Sequence, residues 1–229
     1  MTTESRNALI VGASRGLGLG LARVFLDRGW RVTATQRSPS PGLAGLGTSL
    51  RVETVDIDDD GSVASLRDRL AGERFGLIFV VAGVAAKGDD KGDDVAHTIP
   101  REEAARILLT NAVSPLRFAE TFRPSLAEGG TLAFMSSILG SVARNEDGGM
   151  EIYRASKAAL NTLVRSFAAR HPGSSLLLLH PGWVETDMGG EGADIDVATS
   201  ARGLAEVIEA RLGRPGLAYL DYRGETLPW

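Results

Sequence analysis

In Tyr153-Arg-Ala-Ser-Lys157 a phenol and an amine stand four residues apart. A helix places residues at that spacing on one face, roughly 5–6 Å apart. At an effective dielectric near 20, a unit charge at about 5 Å is worth roughly 3 kcal/mol, or about two pKa units on a phenol that normally titrates near 10. The Lys157 ammonium is therefore expected to bring the Tyr153 hydroxyl toward proton exchange near neutral pH, as a general acid or base requires. Alone, such a pair is most often a packed ring beside a surface amine. Ser136-Ser137-Ile-Leu-Gly140 strengthens the chemical reading, because it follows a β-rich run where an open α/β sheet places ligands. A serine hydroxyl there can hydrogen-bond a developing oxyanion. Asn111 falls inside a long helical pattern, where its side chain competes for backbone hydrogen bonds, and an unfavourable residue in that place suggests a task.

A second constellation is Gly12-Ala-Ser-Arg-Gly16-Leu-Gly18, directly after an apolar run and before a helical pattern. Glycines there let the backbone approach a pyrophosphate, which then meets the N–H groups and positive dipole end of the helix. The end of the second β-rich run reads Thr35-Gln36-Arg37. A carboxylate at that point holds the adenosine ribose hydroxyls in folds that prefer NAD. Here Gln36 does not repel a 2′-phosphate, and Arg37 can bind one, with Arg15 able to face it from the glycine turn. The expected cofactor is NADP(H).

These residues need a scaffold that brings them to one edge. Short β-rich runs at 8–11, 31–35, 50–55, 77–81, 131–135, 176–179 and 217–220 alternate with amphipathic stretches such as 17–28 and 104–126. Alternation of this kind gives a parallel sheet with helices on both faces. The runs 77–81 and 176–179 are apolar throughout, as strands covered on both sides should be. Helix stops are expected at Gly29, at Gly129-Gly130 and at His171-Pro172-Gly173. The stretches 38–48 and 87–94 read as surface loops, and the chain from Asp187 to Thr199 as a mobile lid.

At 229 residues, with 43% hydrophobic and 24% charged residues, the chain suits a single α/β domain. A formal charge of -4 provides no broad basic field for nucleic acid or anionic lipid, and no apolar run approaches a membrane span. Without cysteine, catalysis must use oxygen or nitrogen groups, and no thiolate metal site can form. No metal is called for, and a cytoplasmic setting is expected, given an N-terminus without the pattern of a secretory signal.

Together these segments resemble the short-chain dehydrogenase/reductase family over nearly the whole chain. Residues 153–161 and 181–190 look like its C-factor and sniffer-type carbonyl reductase branch. The resemblance implies a single Rossmann-fold domain over 1–229, with a cofactor half to about residue 135 and a catalytic and lid half from about 136. Its sheet would be doubly wound, seven-stranded and parallel, in the order 3-2-1-4-5-6-7. It implies a catalytic tetrad of Asn111, Ser137, Tyr153 and Lys157. Tyr153 would donate the proton, Lys157 would lower the phenol pKa and hold the nicotinamide ribose, Ser137 would orient the substrate and Asn111 would position a relay water. Ser137 is preferred to Ser136. Cofactor contacts are expected from Gly12, Ser14, Arg15, Gly16, Leu17, Gly18, Arg37, Asp56, Ile57, Ala82, Gly83, Tyr153, Lys157, Pro181, Gly182, Val184 and Thr186. Two departures from the family pattern stand out: Val80-Val81 precedes Ala82-Gly83 where asparagines are usual, and the interval from Ser137 to Tyr153 is long. The implied activity is hydride transfer between NADP(H) and a small carbonyl or secondary alcohol, by a homodimer or homotetramer that uses neither nucleic acid nor membrane. The alternative is a non-catalytic NADP(H)-sensing protein of the C-factor type. An epimerase or dehydratase is disfavoured, since little chain follows Gly190 to build a substrate domain.

Overall fold

The computed structural model describes residues 6–86 and 95–229, so the loop expected at 87–94 lies outside the described residues. Seven strands, β1 (Asn7–Val11), β2 (Arg31–Gln36), β3 (Leu50–Thr54), β4 (Phe75–Val80), β5 (Leu126–Met135), β6 (Ser175–His180) and β7 (Gly216–Asp221), form one sheet in the order β3-β2-β1-β4-β5-β6-β7. Every pairing is parallel. The order reverses between β1 and β4, and the crevice outside the carboxyl ends of the strands at that switch point is where such sheets bind ligands.

Period-two alternation along buried strands sends neighbouring residues to opposite cores. Leu9, Ile78, Phe134 and Leu178 join one core with Leu116, Phe122, Leu160 and Phe167. Ala8, Ile10, Phe79 and Leu179 join the other with Leu21, Phe25, Leu204 and Ile208. The first core is closed by helices α3 (Asp60–Arg69), α5 (Ser114–Phe122) and α6 (Glu151–Arg170), the second by α1 (Gly16–Asp27) and α7 (Val197–Arg211); a one-turn α2 (Pro41–Ala44) follows β2 and α4 (Arg101–Leu108) precedes α5. Burying each Leu or Phe contributes about 1.5–3 kcal/mol, so the two cores fix which strand ends converge.

Three expectations need correction. The helical pattern at 104–126 is not one helix: α4 gives way to a π turn at Leu109–Val113, α5 ends at Phe122, and a 3-10 turn at Arg123–Ser125 leads straight into β5. Pro115 explains the break, because it has no N–H to donate to the carbonyl of Asn111, four residues earlier, and the ladder shifts to a longer spacing. The Ser114 N–H accordingly reaches the Leu109 carbonyl. Second, Gly129-Gly130 is not a helix stop but lies within β5, at a register shift against β4 between Phe75 and Leu77. A Cβ on Gly130 would stand 2.9 Å from the Phe75 carbonyl oxygen, so the bulge needs glycine for close backbone approach. Third, residues 197–199 are the first turn of α7, capped by the Asp196 carboxylate accepting from the Thr199 N–H at 2.7 Å. The loop over the sheet edge therefore ends before Val197. The stops at Gly29 (φ 76°) and at His171 are found where the sequence placed them.

Candidate active site

The turn between β1 and α1 is built for close approach. Gly12 has φ 89° and its missing Cβ would stand 2.8 Å from Ala82; a Cβ on Gly18 would collide with the Gly12 carbonyl. α1 starts with no side-chain cap and no acidic residue in its first turn. Its leading N–H groups thus lack a built-in acceptor, the arrangement that favours an anion at a helix N-terminus. A dinucleotide's pyrophosphate fits this cradle. Ser40 closes the turn from β2's side, donating to the Ser14 carbonyl at 2.5 Å while its own N–H donates to Gln36 Oε1 at 2.8 Å.

Arg37 is exposed at the end of β2 and makes no ion pair within the described residues. Arg15 turns to the loop after β6, where it pairs with Asp187 at 3.1 Å, both side chains more than three-quarters exposed. A pair so solvated is worth little, about 0–1 kcal/mol, and Arg15 can be recruited elsewhere. Asp56 sits in the turn after β3; its carboxylate accepts from the Asp58 N–H at 3.0 Å and its N–H donates to Ser62. Ile57 is buried beside it.

The proton-handling groups converge beyond the ends of β4 and β5. A Cβ on Gly83 would lie 3.2 Å from Asn111 Oδ1 and 3.4 Å from Lys157 Nζ, so Ala82-Gly83, Asn111 and Lys157 meet at one point. Lys157 Nζ donates to the Met135 carbonyl at 2.9 Å and stands 5.7 Å from the centre of the Tyr153 ring. Tyr153 hydrogen-bonds the Ser137 side chain. Ser136 instead donates to Asn161 Oδ1 at 2.7 Å, facing away from this cluster. The choice between the two serines follows from β-strand alternation carried two residues past the end of β5.

One electrostatic expectation is reversed. Burial pushes the Tyr153 phenol up to about 12, although the Ser137 hydrogen bond pulls it down, and nearby Tyr219 adds to the rise. Burial also pushes the Lys157 ammonium down to about 8. The sequence-based figure assumed an amine in a medium of moderate dielectric. Here both groups have lost their water, and burial is the largest cause of both shifts. His180, at the end of β6, is likewise pushed down to about 4 by burial against the opposing pull of Asp221, so its imidazole is neutral at physiological pH.

Asn111 is fully buried within the π turn. Its amide donates to the Val84 carbonyl at 2.8 Å and Ser156 Oγ at 2.9 Å, and its Oδ1 accepts from the Val84 N–H at 2.7 Å. The side chain thus fixes the backbone after Gly83. Pro115 has no N–H, so the Asn111 main-chain carbonyl lacks an α-helical donor. That signal was present in the sequence as an asparagine followed four residues later by proline. Ser156 and Tyr219 carried no such signal.

Pro181 and Gly182 bend the chain over the cleft; Gly182 has φ 87°, and a Cβ there would meet Ile195 and Tyr222. Glu185 N–H donates to the Ile195 carbonyl at 3.0 Å and Ile195 N–H to the Trp183 carbonyl at 3.2 Å, folding the loop into a flap. Val184 is buried in it, and Thr186 Cγ2 lies 3.6 Å from where a Gly16 Cβ would be, closing the flap against the glycine turn. Trp183 and Met188 remain substantially exposed on the flap. Elsewhere, a groove of about 630 Å³ between the β3–α3 turn and α4–α5 is lined by Ile57, Asp58, Arg106, Leu109 and Arg117, and none of the proton-handling residues lines it. Among the described residues no His/Asp/Glu cluster could hold a metal, and no helix is long and apolar enough to cross a membrane.

A family model described as Enoyl-(Acyl carrier protein) reductase matches residues 12–215, from the glycine turn to the end of the last crossover. The chain belongs to the short-chain dehydrogenase/reductase family. A short-chain dehydrogenase/reductase structure from Burkholderia multivorans with bound NADP is similar at 41% identity and a TM-score of 0.93, covering 97% of this chain and 99% of that one. A carbonyl reductase from Pseudomonas aeruginosa PAO1 in complex with NADP is similar at 42% identity and a TM-score of 0.88, over 98% and 99% of the two chains. The C-signal protein of Myxococcus xanthus is 42% identical over 131 residues, 56% of this chain and 79% of that one. This short-chain dehydrogenase/reductase therefore shares its whole fold with NADP-bound relatives and more than half its length with a protein named as a signal.

Proposed function

We propose that the protein is an NADP(H)-dependent reductase of small carbonyl compounds, with Tyr153 as proton donor. The observation that carries this reading is the meeting of Tyr153, Ser137 and Lys157 beside Gly83, at the same sheet edge as the glycine cradle. Gly12, Ser14, Gly16, Leu17 and Gly18 would cradle the pyrophosphate, Arg37 with Arg15 the 2′-phosphate, and Asp56 with Ile57 the adenine. Ala82 and Gly83 would line the adenosine-to-nicotinamide path, and Pro181, Gly182, Val184 and Thr186 would hold the carboxamide. When bound, the reduced cofactor supplies a hydride to the carbonyl carbon.

The protein's own part is to hold the carbonyl and deliver a proton. Ser137 Oγ donates a hydrogen bond to the carbonyl oxygen and aligns it with the Tyr153 hydroxyl. Tyr153, protonated throughout the physiological range, gives its proton to that oxygen as negative charge develops there. An alkoxide is a far stronger base than a phenolate, so the high phenol pKa suits reduction. Lys157 stabilises the phenolate left behind, and a water on the Asn111 carbonyl connects that amine to solvent for reprotonation.

The test is to follow NADPH absorbance with purified protein and a panel of aldehydes and ketones. Consumption should depend on the added carbonyl, and Tyr153→Phe should lose about 10²-fold or more in kcat while still binding NADPH. A variant that keeps full activity rejects Tyr153 as the donor. A wild-type protein that binds NADPH and turns over nothing favours the sensing alternative.

A further inference from the structure

The turn carrying Ser137 is held from behind by groups outside the Tyr153–Lys157 pair. The Ser137 carbonyl accepts from the Gly140 N–H at 2.9 Å and also from the hydroxyl of Tyr219, a buried residue of β7. The same phenol hydrogen-bonds the side chains of Asn161 and Ser136. Asn161 Nδ2 in turn donates to the Gly140 carbonyl at 3.2 Å. On its other side the turn is pressed onto α6: a Cβ on Gly140 would stand 2.9 Å from the Lys157 carbonyl carbon. Farther along, the Trp229 carbonyl accepts from Ser141 Oγ at 3.2 Å and from the Ala143 N–H at 3.1 Å. The 227–229 segment is itself anchored to Tyr219, through the Leu227 N–H to the Tyr219 carbonyl at 2.9 Å and ring contact between Trp229 and Tyr219 at 5.5 Å.

We propose that Tyr219 is a positioning residue for carbonyl reduction: its hydroxyl fixes the Ser137 peptide while the 227–229 segment straps the next turn, so that Ser137 Oγ is aimed at the carbonyl oxygen beside Tyr153. The inference rests on the reductase reading and adds to it a residue from the edge strand β7. The rotamers open to a side chain depend on its backbone angles, so a peptide free to rock carries Oγ with it. Displacement of about 1 Å in a reacting geometry can cost about 10²-fold. The Tyr219 hydroxyl also lies near enough to raise the Tyr153 phenol, an influence that persists without Ser137 Oγ, whereas the positioning effect vanishes with it.

Tyr219→Phe keeps the ring and removes only the donor. Expected is a loss of about tenfold in kcat, with NADPH affinity by fluorescence titration within about twofold of wild type. In a Ser137→Ala background the same change should cost less than about twofold, because the group it positions is gone. An equal loss in both backgrounds overturns the proposal in favour of general destabilisation. Should Tyr219→Phe fail to fold, Ser141→Ala tests the strap in the same cycle, with about threefold expected and the same overturning result. Hydrogen exchange of the 137–144 amides supplies a readout that needs no turnover. It should accelerate in Tyr219→Phe, and unchanged exchange there overturns the positioning role. A wild-type protein inactive with every carbonyl sinks the reductase reading instead, and the exchange result still decides whether Tyr219 holds the turn.

Discussion

Replacing Lys157 with Met should change the pH dependence of stability in a direction set by burial. The amine is 3% exposed, donates to one carbonyl, and titrates at about 8 instead of 10.5. Because its folded pKa lies below the unfolded value, the unfolded chain binds more protons between pH 8 and 10.5, and stability must rise with pH through that window. Linkage with these two values makes the cofactor-free protein about 2 kcal/mol more stable at pH 9.5 than at pH 7 from this residue. Tyr153 acts oppositely but higher: its folded pKa of about 12 lies above the unfolded 10, so it removes stability only as pH climbs past 10. Urea denaturation of wild type and Lys157→Met, without cofactor, at pH 7 and 9.5 separates the two. Wild type should gain about 2 kcal/mol between those conditions and Lys157→Met should lack that gain. At pH 7 the variant should be at least as stable as wild type, since its methionine needs no desolvation of charge and the Met135 carbonyl loses only one donor, worth about 1 kcal/mol. Identical pH slopes in the two proteins would refute the argument that desolvation governs this amine.

Further outcomes follow from the same geometry. Arg37→Asp should move the kcat/KM ratio toward NADH over NADPH by about tenfold or more, as a charge-assisted contact becomes a repulsion; an unchanged ratio rejects the 2′-phosphate assignment. Gly18→Ala should weaken NADPH binding by about tenfold or more in fluorescence titration, because the new methyl meets the Gly12 carbonyl and α1 must move off the cradle. Pro115→Ala restores a donor to the Asn111 carbonyl and should lower kcat by about tenfold with thermal stability unchanged or raised; full activity would show that this carbonyl is not needed. Leu109 and Val113 expose apolar surface on the face of the π turn. Light scattering at micromolar concentration should show a homo-oligomer that Leu109→Glu weakens, and a monomeric wild type excludes that face as an interface.

All seven strands were legible in the sequence as β-rich runs between helical periods, with β4 and β6 plainest because strands buried on both faces are apolar throughout, while β5 begins five residues before its expected run at 131–135. The 104–126 stretch was misread because hydrophobic period alone does not register the hydrogen bond lost at Pro115. Gly129-Gly130 reads the same at a helix end and in a strand bulge. The flap was placed three residues too far, since the Asp196 cap looks like any loop acid until the Thr199 N–H is seen to donate to it.

Local chemistry decided much in advance. The glycine turn, the absence of an acid at Thr35-Gln36-Arg37 and the four-residue spacing of Tyr153 and Lys157 depend on neighbours in the chain, so sequence suffices to find them. Tertiary structure alone decided that Asn111 holds Val84, that Tyr219 reaches the Ser137 carbonyl from β7, and that burial raises the phenol while lowering the amine. Those outcomes depend on groups far apart in the chain and on how much water each keeps, and hydration is set only when the two cores close.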